Sequence, residues 1–364
     1  MSNSGNVMNH IVGLDIGGAN IKAAHSNGEC RSCSFPLWKS PETLAETLAS
    51  LIGDWLPCVG MAVTMTGELA DCFATKAEGV NRILAAVEQT ADRTPIAVWQ
   101  TVGEFVDTST AREFWQLTAS ANWHALATFV GRIAPDRTVL LLDIGSTTTD
   151  IIPLQNGLPN PSGRTDPERL ISAELVYSGV RRTPVCAVAY SVPIEQKVTG
   201  NGYSQLAAEF FATTQDVYLL HGDVSEDSAD LDTANGQPAT IAEAHDRLAR
   251  QLCCDRSELS LDEATSVADF LANVQRQRIS GAIDRVMTTL DSPCESVIVS
   301  GEGSFLGHQI LDNHSKLKDV SRHSLTEMFS AETSTAACAF ALTRLASERP
   351  STFTDIDLSN LLSS

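Results

Sequence analysis

Apolar residues in this chain fall into short runs closed by glycine and small polar residues. Two of these runs are built alike: VGLDIGGANIKAA (residues 12–24) and LLLDIGSTTTDIIP (residues 140–153). Each reads as an apolar strand, Asp-Ile-Gly, a small polar turn and a returning apolar strand, which together predict a β-hairpin. Between the hairpins the pattern changes period. SPETLAETLASLIGDWL (40–56), with Ser40 as cap and Pro41 in the first turn, predicts a helix. VGMAVTMTGELAD (59–71) predicts a strand ending in a polar turn, residues 77–91 a helix, PIAVWQ (95–100) a strand and ANWHALATFVGRIA (121–134) a helix. Strand and helix alternating in this way make an α/β fold.

A break at Pro135-Asp136 precedes the second hairpin, so a new unit begins near residue 138. In it, QLAAEFFATTQDVYLLHG (205–222) reads as a helix, and EDSADLDTANGQPAT (226–240), acidic and rich in turn formers, as an exposed loop. A basic helix over 241–254 and a longer one over 264–290 lead to the buried strand ESVIVSG (295–301). The alanine-rich stretch TSTAACAFALTRLA (333–346) predicts a last helix that packs back across the domains, with a frayed tail after Pro350. The domains expected are therefore 1–137, 138–332 with helical and loop insertions, and 333–364.

The 364 residues are 43% apolar, enough for two cores of ordinary size. A net charge of −20 argues against nucleic acid as a partner, because its phosphates would be repelled over most of the surface. No apolar segment has the length of a membrane span, and MSNSGNVMNH lacks the features of a signal peptide, so a soluble cytoplasmic protein is expected. The nine scattered cysteines are then reduced thiols. Cys30 and Cys33 form a lone C-x-x-C with no second pair and no spaced histidines, which favours neither zinc nor a redox couple. Oligomeric state has no mark in the sequence.

The turns carry the candidate chemistry. Gly17, Gly18 and Gly145 let the main chain approach a ligand, Asn20 is a further phosphate-binding candidate, and the amides beside Ser146, Thr147 and Thr148 suit phosphate oxygens. Asp15 and Asp143 would face the same phosphates, which like-charge repulsion forbids unless Mg²⁺ or its waters intervene. Lys22 follows on the returning strand, from where its charge can reach back to a phosphate. VIVSGEGSFLG (297–307) adds Gly301 and Gly303 as a third phosphate- or nucleotide-contacting element. No Walker-type loop is present, and neither hairpin is a strand-to-helix dinucleotide fingerprint.

The order DIGGANIK, DIGSTTTD, VSGEGSFLG resembles the phosphate-1, phosphate-2 and adenosine elements of the actin, sugar-kinase and Hsp70 superfamily. That resemblance implies an α/β protein of two ribonuclease-H-like domains with an interdomain phosphate-binding cleft. More narrowly, FPLWKSP (35–41), VTMTGELADCF (63–73), GRTDPERLISAELVYSGVRRTPVCA (163–187) and EFFATTQDVYLLHGD (209–223) resemble hydantoinase/oxoprolinase-related proteins of tetrahydromethanopterin-linked one-carbon metabolism. The resemblance implies a transferase of methanofuran-type cofactor biosynthesis. It would displace diphosphate from an aminomethyl-furanmethyl diphosphate by a phenolic, tyramine- or tyrosine-like acceptor, forming an aryl ether. Mg²⁺ is expected, and ATP is not required.

For that chemistry Lys22 would support the leaving group, and Glu68 or Asp150 would accept the proton of a phenol whose pKa lies near 10. Arg164, Arg181 and Arg182 are candidates for an anionic substrate group, with only one of the adjacent arginines reaching the site if they lie on an extended strand. Thr213, Thr214 and Asp216 are placed on the acceptor side, whereas His124, beside Trp123 on an apolar helix, is assigned to packing. The same elements would serve an ATP-dependent small-molecule kinase or ligase, or a nucleotide-gated interaction protein without turnover. The acceptor and its glutamylation are not legible.

Overall fold

The computed structural model describes residues 10–196, 200–349 and 351–354. The expectation drawn from the first ten residues, and most of the expected tail, therefore lie outside the described residues. The chain divides into two compact units. One comprises Met1–Val139, Ile152–Arg169 and Leu325–Ser364, the other Leu140–Ile151 and Leu170–Ser324.

In chain order the first unit begins with β1 (Ile11–Ile16), β2 (Asn20–His25), β3 (Cys30–Ser34), α1 (Leu44–Ile52), β4 (Gly60–Met65) and α2 (Lys76–Ala91). There follow β5 (Ile96–Trp99), β6 (Phe105–Val106), α3 (Thr108–Glu113), α4 (Trp115–Thr118) and α5 (Asn122–Val130). Next come β7 (Thr138–Ile144), β8 (Thr149–Gln155), β9 (Leu158–Pro159), α6 (Asp166–Ser172), β10 (Leu175–Val176), α7 (Val185–Val188), β11 (Ser191–Gln196) and β12 (Gly200–Gln205). The chain continues through α8 (Thr214–His221), α9 (Ile241–Gln251), α10 (Leu261–Met287), β13 (Ser296–Ser300), α11 (Ser304–Asn313) and β14 (Ser321–Ser324). It closes with α12 (Leu325–Met328), α13 (Ala331–Thr335) and α14 (Ala337–Ser347).

Two sheets share one plan. The first runs β3-β2-β1-β4-β5-β6, with β1, β2 and β3 antiparallel in succession and β1, β4 and β5 parallel. The second runs β10-β8-β7-β13-β14, with β13 and β14 parallel. A hairpin followed by parallel strands added beside its first strand is the ribonuclease-H-like order, and it occurs in both.

Side-chain alternation explains how the first sheet is covered. Val12, Leu14 and Ile16 of β1 and Met61, Val63 and Met65 of β4 point into a large apolar core that also receives Leu44 and Leu48 of α1 and Ile83 and Val87 of α2. The opposite face is lined by small residues. Ala62, Ala97 and Ala125 pack there with Leu342, Leu345 and Phe353. At Gly13 an added Cβ would lie 2.1 Å from the carbonyl of Ala339, so α14 lies directly on the sheet backbone. In the second unit, one core joins Leu140, Leu142 and Val299 to Val217, Leu248, Leu271 and Ile283.

One expected helix is shortened. Residues 206–213 are not helical, and α8 starts only at Thr214. Gln251 competes for that backbone: its carbonyl accepts from Ala207 N at 2.9 Å, and its side chain accepts from Ala212 N at 3.3 Å. The expected last helix is also interrupted, at Ala336, between α13 and α14. Phe353, beyond Pro350, is buried against Gly60.

Candidate functional site

In the first unit the polar groups gather where the parallel strands end. The β1–β2 register pairs Asp15 with Lys22, and the β1–β4 register pairs Asp15 with Thr64. Alternation therefore sets Asp15 and Thr64 on the small-residue face, beside the start of α5. Asn122, the first residue of α5, accepts from Trp123 N through Oδ1 at 2.8 Å and hydrogen-bonds Asp15 with its side chain. Burial pushes the Asp15 carboxyl above the usual range, opposed by the Lys22 charge and the Asn122 hydrogen bond. Asp15 Oδ1 and Thr64 Oγ1 are buried without a hydrogen-bond partner among the described residues.

The adjoining turn is tight. Gly17 N donates to Asn20 O at 3.0 Å, and a Cβ at Gly17 would lie 2.8 Å from that oxygen. Gly18 O accepts from Leu37 N at 2.9 Å, and Ile16 O accepts from both Thr66 N and Gly67 N. These bonds bring the end of β4 against the turn and deliver the next residue, Glu68, to the same end of the sheet.

Glu68 is fully buried. Burial, the largest influence, and the nearby Asp166 push its carboxyl up to about 7, against opposing pulls from its own backbone, Ser120 and Lys76. Its Oε1 receives the Ser120 hydroxyl at 2.9 Å, while Oε2 has no partner among the described residues. The α4–α5 connection and the first residue of α5 thus reach both acids: Ser120 reaches Glu68, and Asn122 reaches Asp15.

In the second unit Gly145 N donates to Thr148 O at 2.8 Å, closing the β7–β8 turn. Residues 179–182 lie flat on it. Val180 N donates to Gly145 O, and Arg181 N and Arg182 N both donate to Ser146 O, at 3.0 and 2.9 Å. A Cβ at Gly179 would lie 2.5 Å from the Thr147 amide nitrogen, so this position admits glycine alone without movement. On the other side Gly303 N donates to Ile144 O at 2.8 Å, and Gly301, at φ +89°, would set a Cβ 2.7 Å from Asp143 Oδ1. Asp143, Ser146, Thr147, Thr148 and Asp150 are partly exposed around this turn.

Asp143, Gly145, Ser146, Thr147, Thr148, Gly301 and Gly303 therefore form one cluster in the second unit, and Asp15, Gly17, Gly18, Asn20, Lys22 and Glu68 another in the first. Other expected site residues have different surroundings. Arg181 and Arg182 sit in a loop, not an extended strand, and Arg181 is bound to both carboxylate oxygens of Asp230 at 2.7 Å. That bond ties the acidic 226–240 segment to the body of its unit. Thr213 and Asp216 form the capping box of α8, Asp216 is ion-paired at 2.7 Å with the buried Arg247, and Thr214 Oγ1 donates to Gly179 O at 2.9 Å. These three side chains serve the main chain and a buried charge. Arg164 is exposed, with its backbone N on Glu168. His124 is buried between Trp99 and Trp123, and burial together with Arg164 and Arg169 lowers its pKa to about 4, so it is a neutral packing group.

Ser120, Asn122 and Asp166 are absent from the sequence-derived set. They lie in a connection and at two helix starts remote from Asp15 and Glu68 in the chain, and the one backbone oddity among them, φ +49° at Ser120, leaves no mark in composition. Among the described residues, no three His, Cys, Asp or Glu side chains cluster to hold a metal ion by themselves. Asp15 Oδ1, buried and without a hydrogen-bond partner among the described residues, is the atom that would hold a Mg²⁺ there. Among the described residues no helix is long and apolar enough to cross a membrane.

A family model described as hydantoinase/oxoprolinase matches residues 60–345. The chain is 32% identical, over 92% of its own length and 97% of the relative's, to the (4-{4-[2-(gamma-L-glutamylamino)ethyl]phenoxymethyl}furan-2-yl)methanamine synthase of Methanocaldococcus jannaschii. It is 28% identical to the protein of the same name from Methanococcus vannielii, over 58% of this chain and 91% of that one. Among solved structures, component A of (R)-2-hydroxyglutaryl-CoA dehydratase from Acidaminococcus fermentans is 10% identical with a TM-score of 0.42, covering 93% of this chain and 99% of that chain.

Proposed function

The chain belongs to the hydantoinase/oxoprolinase family, and from that premise we propose that it is an enzyme of methanofuran-type cofactor biosynthesis that forms an aryl ether. The observation that carries this reading is the 32% identity that extends over 97% of a relative named for such a product. That name describes a phenol oxygen joined to the methylene of a furan that bears an aminomethyl group. Making the bond requires a phenol as nucleophile and a leaving group on the furanmethyl carbon, and diphosphate is the leaving group that the glycine turns would suit.

In the proposed step the phenolic O–H bond breaks, a bond forms between the phenol oxygen and the furanmethyl carbon, and the bond from that carbon to the diphosphate oxygen breaks with its electron pair leaving on diphosphate. The furan ring shares the positive charge that develops on the methylene. Lys22 and the Gly18 amide would offset the charge gathering on the leaving oxygens. Asp15 would hold the Mg²⁺ that supplies further positive charge there. The Gly145–Thr148 turn offers a second set of amides of the same kind. Glu68 is the proton acceptor we favour over Asp150, because its carboxyl is buried and poised at about 7, near the pH at which a base works best.

The test is incubation of the purified chain with Mg²⁺, synthetic aminomethyl-furanmethyl diphosphate and γ-glutamyltyramine, with ether and diphosphate measured by mass analysis. Ether and diphosphate should appear together without ATP. Strict dependence on ATP, with stoichiometric ADP or AMP, would replace this reading with a kinase or ligase.

A further inference from the structure

The Ser120 hydroxyl lies 2.9 Å from Glu68 Oε1 and 2.8 Å from Asp166 Oδ2. One hydroxyl carries one hydrogen and donates to only one of these oxygens. The other contact is a hydrogen bond only if that carboxyl carries a proton of its own. With a proton on one of them, the arrangement would place it between the two carboxyls, with the serine as bridge. Ser120 is kept there in a left-handed backbone conformation, φ +49°, that a non-glycine residue rarely adopts.

The row of groups has a direction. Glu68 is buried, with Oε2 open, whereas Asp166 is a quarter exposed and lies 3.8 Å from the Lys76 ammonium, itself partly exposed. Asp166 and Lys76 open α6 and α2, where the backbone dipole also favours a carboxylate. Negative charge is thus supported at the outer end of the row and penalised at the inner end.

We propose that Ser120 and Asp166 are a proton exit for the ether-forming step, resting on the reading of this chain as an aryl ether synthase. The phenol gives its proton to Glu68 Oε2 as Glu68 Oε1 passes its own proton to Ser120 Oγ and the serine hydrogen moves to Asp166 Oδ2. The phenolate is formed, Glu68 ends neutral as it began, and Asp166 releases the proton to water beside Lys76. In this step the buried acid stays neutral, which avoids the penalty that burial places on its ionised form. Glu68 is the catalytic residue here, and Ser120 and Asp166 are positioning residues that act through it. The charged or titratable neighbours acting on Glu68 are Asp166 and Lys76.

The experiment compares wild type with Ser120→Ala, Ser120→Gly and Asp166→Asn across the pH range, using γ-glutamyltyramine and a more acidic nitro-substituted phenol. The glycine variant suits the left-handed backbone and guards against a folding defect. With the ordinary phenol both serine variants should lose about 100-fold in kcat with KM little changed, and the acidic phenol should restore most of the loss. Wild-type kcat and pH profile in both serine variants would overturn the proposal, as would equal losses with the two phenols. Infrared titration of the free protein reads the shared proton without substrate. A protonated carboxyl should persist towards neutral pH, vanish in Glu68→Gln and shift in Ser120→Gly, and an unshifted band would also overturn the exit. Failure of wild type to form ether from either phenol would instead overturn the functional reading, leaving the infrared result to decide whether the proton is shared.

Discussion

Asp15 and Lys22 face each other across the β1–β2 ladder, and the lysine charge is the larger of the two influences that oppose the effect of burial on the Asp15 carboxyl. Under the proposed function the pair would begin the phosphate site, because the cation that favours the ionised form of the acid would also face the diphosphate. Lys22→Met should weaken Mg²⁺-diphosphate binding by roughly 10- to 100-fold, the scale of one lost contact to a charged group. It should also move the acid limb of binding to higher pH, since Asp15 would then ionise later. Calorimetry at several pH values checks both, and binding equal to wild type throughout would remove Lys22 from the site.

Glu68→Gln should make the protein more stable above neutral pH. The wild-type carboxyl is raised from 4.5 to about 7, so its favourable contribution is complete below 4.5 and is lost as pH rises through 7. Between pH 4.5 and 8 the glutamine variant should therefore gain on wild type by about 3 kcal/mol. Denaturant unfolding at both ends of that window measures it. Parallel pH profiles would mean that Glu68 ionises without penalty.

Gly79→Ala isolates the positioning of Glu68 from its chemistry. In a helix, alanine is favoured over glycine by about 1 kcal/mol. At this position, however, a Cβ would lie 2.2 Å from the Glu68 carbonyl. The variant should lose roughly 1–3 kcal/mol of stability and lower kcat through displacement of the Glu68 backbone. A variant as stable and active as wild type would show that the helix can give way without moving the acid.

Arg247→Met should cost about 3–5 kcal/mol, because it leaves Asp216 buried without its cation. Arg247 and Asp216 are both fully buried and 2.7 Å apart. Adding Asp216→Asn to the methionine variant should recover part of the loss, as measured by chemical unfolding. No recovery would mean that Arg247 acts mainly through its bonds to Asn235 and Pro238.

The glycine-closed hairpins are legible in the sequence because strand, turn and returning strand are local, and Asp15 and Glu68 stand out as acids ending apolar runs. Their partners are not local. Ser120, Asn122 and Asp166 reach the acids from a connection and from two helix starts elsewhere in the chain, and no periodicity marks a residue whose purpose is one or two hydrogen bonds. Asp216 illustrates the opposite difficulty. Its spacing from Thr213 reads equally as polar lining or as a helix cap, and only the buried Arg247 decides between them. Residues 206–213 have helix-like composition, but Gln251 takes up their backbone groups, a competition visible only in three dimensions.

The seating of α14 on β1, β2 and β4 has a consequence for how the chain is born. Those strands end by Met65, yet the helix that covers their small-residue face is Ala337–Ser347. At about 5–20 residues per second, the first sheet to leave the ribosome waits some tens of seconds for its cover. Through that interval the alanine and glycine backbone of β1 and β4 is open to water and to other nascent chains, so the emergence of Ala337–Ser347, more than the making of the first strands, sets when the Asp15 end of the sheet can be covered.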